Sequence, residues 1–382
     1  MGYGDIGSVQ DSLEFDAADI FTPKIVHVFE DIYAIACQVA DLDGWIYTVK
    51  VDALGAIPAT VEASAEFEAE AANGIFFMHI AGNVFAVLTR VSWTELRLRT
   101  ISISNDGKTI TNIATRAVGA PDSDFFSMCK VAGSIYAVVY REAGTADGWV
   151  KTFTITDDGA ISAELSDFEF DANEADFCVI IRVSDTVCAI AYASATATKV
   201  VTTIKIDGLG SISDIAGGPL TITTSSRYSQ LAFCHTTGDA FAVAFQDASS
   251  VGWVKSILID EDGVMTDPAK ANLEFGPAYM DTPNIIDIGL GLCALVYMGL
   301  NNDGFVCTFT VDKEGNITEP TTHNLEFDTG DGKTPHIVHA IGDIYAIAYK
   351  GVDNDGWVCS LDISTPPVAT GAPHGMMMGV YP

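Results

Sequence analysis

Four tryptophans set the frame of this chain. Trp45, Trp149, Trp253 and Trp357 each follow a glycine, and successive members lie 104 residues apart. Halving that interval puts Arg97, Val201 and Phe305 between them inside the same local pattern. The period is therefore 52, and 45 + 6 × 52 = 357 counts seven copies. A second register agrees. Ala34, Ala86, Ala137, Ala189, Ala242, Ala294 and Ala346 stand 51–53 residues apart, each directly after a Tyr, Phe or Cys. A fixed period of this length overrides any division of the chain into two or three ordinary domains, because a repeat decides the whole fold.

Each copy reads as four short strands, a to d. In the first copy these are residues 24–28, 32–38, 45–51 and about 61–67. The runs are rich in Val, Ile, Tyr, Phe and Thr and are bounded by Gly, Asp and Asn, which is the signature of strands. Asp106-Gly107, Asp158-Gly159 and Asp262-Gly263 fall between c and d. Such pairs supply the positive-φ positions of hairpins, so c and d are expected to be antiparallel neighbours. No segment reads as a helix.

Four antiparallel strands repeated seven times resemble the seven-bladed β-propeller superfold, and the resemblance spans roughly residues 12–364. Neither the WD-dipeptide pattern nor the paired-glycine kelch signature is present. The resemblance implies an all-β fold and, by itself, no activity. In such a fold strand b is covered on both faces, where alanine lets neighbouring blades approach, and the tryptophan opening strand c fills the wider outer wedge. The chain divides into an N-terminal segment (1–20), the propeller (21–364) and a tail (365–382). The seventh copy lacks a d strand, while Leu13-Glu14-Phe15-Asp16 repeats the d-strand sequence Leu325-Glu326-Phe327-Asp328. Pairing the two would close the last blade and remove an open edge.

Charge restricts the partners. With 19 basic and 51 acidic residues the formal charge is −32, which argues against neutralising nucleic-acid phosphates or docking on an anionic membrane. No apolar run approaches the ~18 residues of a membrane span, and residues 1–11 show no secretory leader. The eight cysteines sit in apolar strand-like runs without metal-ligand spacing. They read as small core residues and fit synthesis in a reducing cytoplasm.

Three groups of residues are candidates for a site. Six residues before the reference Tyr, Phe or Cys of strand b stand His27, His79, Lys130, Arg182, His235, Asp287 and His339, one ionisable residue per copy. Strand a is innermost in a propeller, so these are expected to ring the central channel. They would form a hydrated lining, an anion site, or a divalent-metal site on His339, His27 and His79. The b–c loops carry Asp41, Asp43, Asp147, Asp303, Asp353 and Asp355, an acidic face whose segments stop short of a full Ca²⁺ loop. The tail offers Met376, Met377, Met378, Val380 and Tyr381 as apolar anchors for a neighbouring subunit.

No GxSxG, HExxH, P-loop or dinucleotide fingerprint occurs. The expected role is a non-enzymatic structural and binding protein that meets other subunits through its tail and loop face. A virion component, such as a phage tail or capsid-surface protein, or an extracellular assembly fits that role. A glycan-binding propeller with pockets between blades is the alternative, and a propeller hydrolase the second alternative.

Overall fold

The computed structural model describes residues 3–91, 95–195, 198–215, 217–224, 226–268, 272–276, 279–319 and 324–365, with backbone alone at 122–124, 226–228 and 276. Seven antiparallel sheets stand around one axis. Strands a to d of blade 1 are Ile20–Phe29, Ile32–Val39, Gly44–Lys50 and Ala63–Glu68. Blade 2 follows as Ala72–Ala81, Val84–Val91, Glu95–Ile103 and Ile110–Gly119. Blade 3 is Pro121–Ala132, Ile135–Glu142, Gly148–Thr154 and Ser166–Asp171. In blades 4, 5 and 6 strands a to c are Asp176–Arg182, Val187–Ala193, Lys199–Ile206; Ser226–Thr237, Ala240–Asp247, Gly252–Ile259; and Asp281–Gly289, Leu292–Met298, Gly304–Val311. Blade 7 takes Lys333–His339, Ile344–Lys350 and Gly356–Ile363, and its strand d is Ile6–Asp16.

Two details differ from the sequence reading. Strand d of blades 4, 5 and 6 is broken into an inner and an outer piece, as in Ile317–Thr318 and Asn324–Asp328, both paired with the same strand c. The counterpart of the tryptophans in blade 4 is Val200, paired with Tyr192, and not Val201. The b–c connection is one residue longer in blade 3 (Tyr140 to Trp149) than in blade 4 (Tyr192 to Val200), a slip that a fixed period of 52 cannot register.

Strand a begins well before residue 24. It carries a bulge near its start in every blade, as between Phe21 and Lys24, which pair with Gln38 and Ala36. Thr22, Phe177, Thr282 and Thr334 take positive φ at this bulge, and Gly74 does so in blade 2. Bulges of this kind bend a strand and sharpen its twist, here where the innermost strands crowd about the axis.

Packing between blades explains the repeated residues. All seven strand-b alanines are 0% exposed, from Ala34 to Ala346. Each apolar cluster joins the facing sides of neighbouring blades: Ala294 and Val296 of blade 6, for example, pack with Tyr345 and Ile347 of blade 7. The Gly before each Trp has a steric cause. A Cβ on Gly44, Gly148, Gly252, Gly304 or Gly356 would stand 2.4–2.9 Å from the ring of Phe67, Phe170, Phe275, Phe327 or Phe15. The glycine of strand c and the phenylalanine of strand d are one packing unit, and Phe15 supplies that unit for blade 7.

A ring of hydrogen bonds ties the blades together. The Thr or Ser in mid-strand c donates to the carbonyl of a c–d turn glycine in the next blade. Thr48 reaches Gly107, Thr100 Gly159, Thr152 Gly210, Thr203 Gly263, Thr308 Gly4 and Ser360 Gly55, at 2.5–2.8 Å. Ser256 bonds Gly315 in the same way. All seven glycines have φ between +72° and +89°, a conformation that costs glycine little.

Blade 7 completes the ring with a turn built from two separate chain segments. Gly4 N–H donates to Ser364 O (2.9 Å), and Ser364 N–H donates to Asp5 O (3.0 Å). Blade 6 makes the same bonds within one turn, Gly315 to Asp312 (2.9 Å) and Asp312 to Asn316 (3.0 Å). The register beyond also matches: Asp16, Glu14 and Leu13 face Gly356, Trp357 and Val358 as Asp328, Glu326 and Leu325 face Gly304, Phe305 and Val306.

Candidate functional site

The seven ionisable residues stand at the end of strand a, next to the a–b turn. Each lies opposite its reference residue, His27 against Tyr33 through His339 against Tyr345. The four histidines are exposed, and each Nε2 meets the carbonyl oxygen three residues on: Glu30 at 2.9 Å, Gly82 at 2.8 Å, Gly238 at 2.7 Å and Gly342 at 2.9 Å. Each ring also packs 4.9–5.1 Å from the aromatic of strand b. Arg182 Nε donates to Ser184 O at 3.3 Å and its guanidinium pairs with Asp185. Asp287 accepts from Gly289 N–H at 3.2 Å, and Lys130 lies 5.8 Å from the Tyr136 ring centroid. These contacts fix turns one by one. Among the described residues no three His, Cys, Asp or Glu side chains stand where they could hold a metal ion, so His339, His27 and His79 are not brought together.

The acidic loop residues are turn-formers too. Backbone carbonyls of Asp43, Asp147, Asp303 and Asp355 accept from the end of strand b at 2.8–3.0 Å. Asp41 accepts from Asp43 N–H at 3.3 Å, and Asp353 has φ +58° in its loop. Burial, then Asp41 and Glu68, raise the Asp43 carboxyl above its ordinary range. Met376, Met377, Met378, Val380 and Tyr381 lie outside the described residues.

Three positions earlier on strand a stand Lys24, Phe76, Ser127, Val179, Ala232, Asn284 and His336. Three of these clasp the next blade. Ser127 Oγ accepts from Ile180 N–H at 2.8 Å, Asn284 Oδ1 from Ile337 N–H at 3.0 Å, and His336 Nδ1 from Ile25 N–H at 3.3 Å. Accepting at Nδ1 requires the neutral imidazole with its proton on Nε2. Burial, and then nearby Lys24, push the His336 pKa well below the ordinary value. Its folded pKa therefore lies below its unfolded one, so the unfolded chain binds the extra proton and stability falls as pH drops through 6.5. We expect His336→Asn, which keeps an acceptor as in blade 6, to lose less melting temperature than wild type between pH 7 and 5. Parallel melting curves would refute this.

At larger radius one strand-c position reaches across to the preceding blade in blades 1, 2 and 5. Tyr47 crosses to Asp16 at the end of the preceding strand d, Arg99 to Glu68 (2.7 Å), and Lys255 to Ile222 O (3.2 Å). Blade 6 holds Cys307 there and blade 7 Cys359, both too short to cross. A cavity of about 190 Å³ remains, lined by Phe327, Asp328, Tyr349, Val352, Trp357, Val9, Ser12 and Cys359. Tyr349 Oη donates to Asp328 Oδ2 at 2.9 Å, and Oδ1 accepts from Gly330 N–H (2.8 Å) and Asp331 N–H (3.1 Å). Trp357 and the L-E-F-D segment were legible as repeat residues. The short Cys359 beside this recess carries no signal in a single sequence.

Known proteins supply the fold and nothing narrower. The sequence matches no family model and no curated protein. Among solved structures, a lectin from Burkholderia pseudomallei is similar with a TM-score of 0.64 at 11% identity, covering 90% of this chain and 96% of that one. A putative 6-phosphogluconolactonase from Bacteroides fragilis gives 0.56 at 13%, over 92% and 97%. Sqt1 from Saccharomyces cerevisiae gives 0.51 at 9%, over 94% and 100%. Identities this low establish a shared propeller architecture only.

Proposed function

We propose that this chain is a non-enzymatic binding propeller and that its recess between blades 6 and 7 holds a sugar residue of a glycan. The open cavity beside Cys359 carries this reading. Its walls are Trp357, Tyr349 and Phe327, its polar edge is Asp328 and Ser12, and Val352 stands half-exposed at its mouth. A pyranose offers an apolar face to an aromatic wall and hydroxyl donors to a carboxylate, which suits a small concave site of this composition. The architecture shared with a lectin agrees with the reading without carrying it. The assembly role expected from the sequence, including a place in a virion, is a proposal about the same loop face, and its tail contacts lie outside the described residues.

The test is a glycan array probed with three chains. Wild type is expected to retain a defined set of glycans. Trp357→Ala should weaken them at least tenfold. Cys359→Tyr should abolish them with little change in melting temperature, because blade 1 already carries Tyr47 at that position. A wild type that retains no glycan, or retention that survives the tyrosine plug, removes the assignment.

A further inference from the structure

Lys24 stands apart in a chain so rich in carboxylates. It lies half-buried on the innermost strand and has no hydrogen bond or ion pair among the described residues. Burial alone draws its ammonium down from 10.5 to about 8, so no acid is close enough to compensate. Other cations gather at the same corner, where blade 7 meets blade 1. Lys333 and Lys350 face each other directly across strands a and b. Lys333 is held by Asp331 at 3.0 Å, while the Lys350 ammonium lies 4.0 Å over the Phe21 ring. Like charges opposite one another in a sheet are unfavourable, and here Asp331 and Asp19 offset them in part.

The neighbouring polar groups are all turned to donate. His336 and Asn284 use their acceptor atoms on the next blade's backbone. This leaves the imidazole Nε2–H and the amide NH₂ as donors, with no protein acceptor for either among the described residues. Thr282, Thr334 and Thr22, at the bulges of blades 6, 7 and 1, have buried hydroxyls without a partner. Each is followed by a proline, which supplies no N–H. Buried polar groups in folded proteins are normally satisfied. Among the described residues these three equivalent hydroxyls in consecutive blades have no partner.

We propose that the innermost strands of blades 6, 7 and 1 form a binding site for a small oxyanion, a phosphate or a carboxylate. Lys24 supplies the charge, and His336 and Asn284 the directed donors. Lys333 and Lys350 make the approach electropositive against the acidic surface. The site differs in residues and radius from the recess beside Cys359, so each stands or falls alone.

The experiment titrates the full chain with inorganic phosphate and, separately, with acetate, at ionic strength fixed by chloride. Melting temperature and the ring resonances of His336 are followed. Phosphate, acetate or both should raise the melting temperature saturably and shift the His336 resonances, and the stronger arm identifies the anion class. Lys24→Met should weaken binding at least tenfold, and His336→Asn, which keeps the clasp, several-fold. Should Lys24→Met fold poorly, Lys24→Phe replaces it, since Phe76 fills that position in blade 2. A wild type indifferent to both anions, or a Lys24 variant that binds as wild type does, overturns the site.

Discussion

A chain lacking residues 1–16 will not form a closed propeller. Those residues hold strand d of blade 7, with Ile6, Leu13 and Phe15 buried to 8% exposure or less. Three such side chains at ~1.5–3 kcal/mol each amount to about 5–9 kcal/mol, comparable with the 5–15 kcal/mol by which a whole domain is ordinarily stable. The truncation also leaves Gly356 without the Phe15 ring and Thr308 without the Gly4 carbonyl, and exposes Gly356–Ile363 as a free edge. Exposed edges recruit other chains. Sedimentation and melting should show aggregation or a collapse of stability, and a peptide of residues 3–16 added in trans should restore part of it. A truncated monomer with unchanged melting temperature would contradict the closure seen here.

Gly291→Ala should be the most damaging single substitution of a turn glycine. Its φ is +77°, and an added Cβ would lie 2.1 Å from Val311 O. Left-handed backbone costs an alanine ~1–2 kcal/mol. Forcing apart two backbone segments that also share the Val311 N–H to Gly291 O bond at 2.8 Å adds ~1–3 kcal/mol. Gly342→Ala in blade 7 isolates the first cost: its φ is +61°, and nothing lies within 4 Å of the added atom. Denaturant unfolding should rank Gly291→Ala well below Gly342→Ala. Equal losses would mean that the contact with Val311 relaxes freely.

The architecture was legible because its determinants repeat. Seven alanines, the glycine before each tryptophan and the stray Leu13-Glu14-Phe15-Asp16 are local signals, and each corresponds to a packing contact between or within blades. The sites were less legible because they arise where repetition fails. A period of 52 singled out the ionisable residue at the a–b turn, since that position is conspicuous in every copy. The strand-a position three residues earlier mixes Lys, Phe, Ser, Val, Ala, Asn and His, and only the bulge, with a proline in blades 1, 6 and 7, sets it apart. The recess lies beside a short side chain, Cys359, at a position where blades 1, 2 and 5 have Tyr47, Arg99 and Lys255 and blade 6 has Cys307. Both sites are departures from the consensus, which a search for periodicity discards.

The split turn of blade 7 also dictates an order of events. Gly4 and Ser364 are partners separated by 360 residues (364 − 4), whereas Asp312 and Gly315 meet within a single hairpin. Closing so long a loop costs entropy that only a nearly finished circle of blades can repay, since contacts remote in sequence form late and slowly. Six blades can assemble from neighbours in sequence as they leave the ribosome. The seventh waits, its first strand made earliest and placed last, so that the circle locks only when every blade before it is in position.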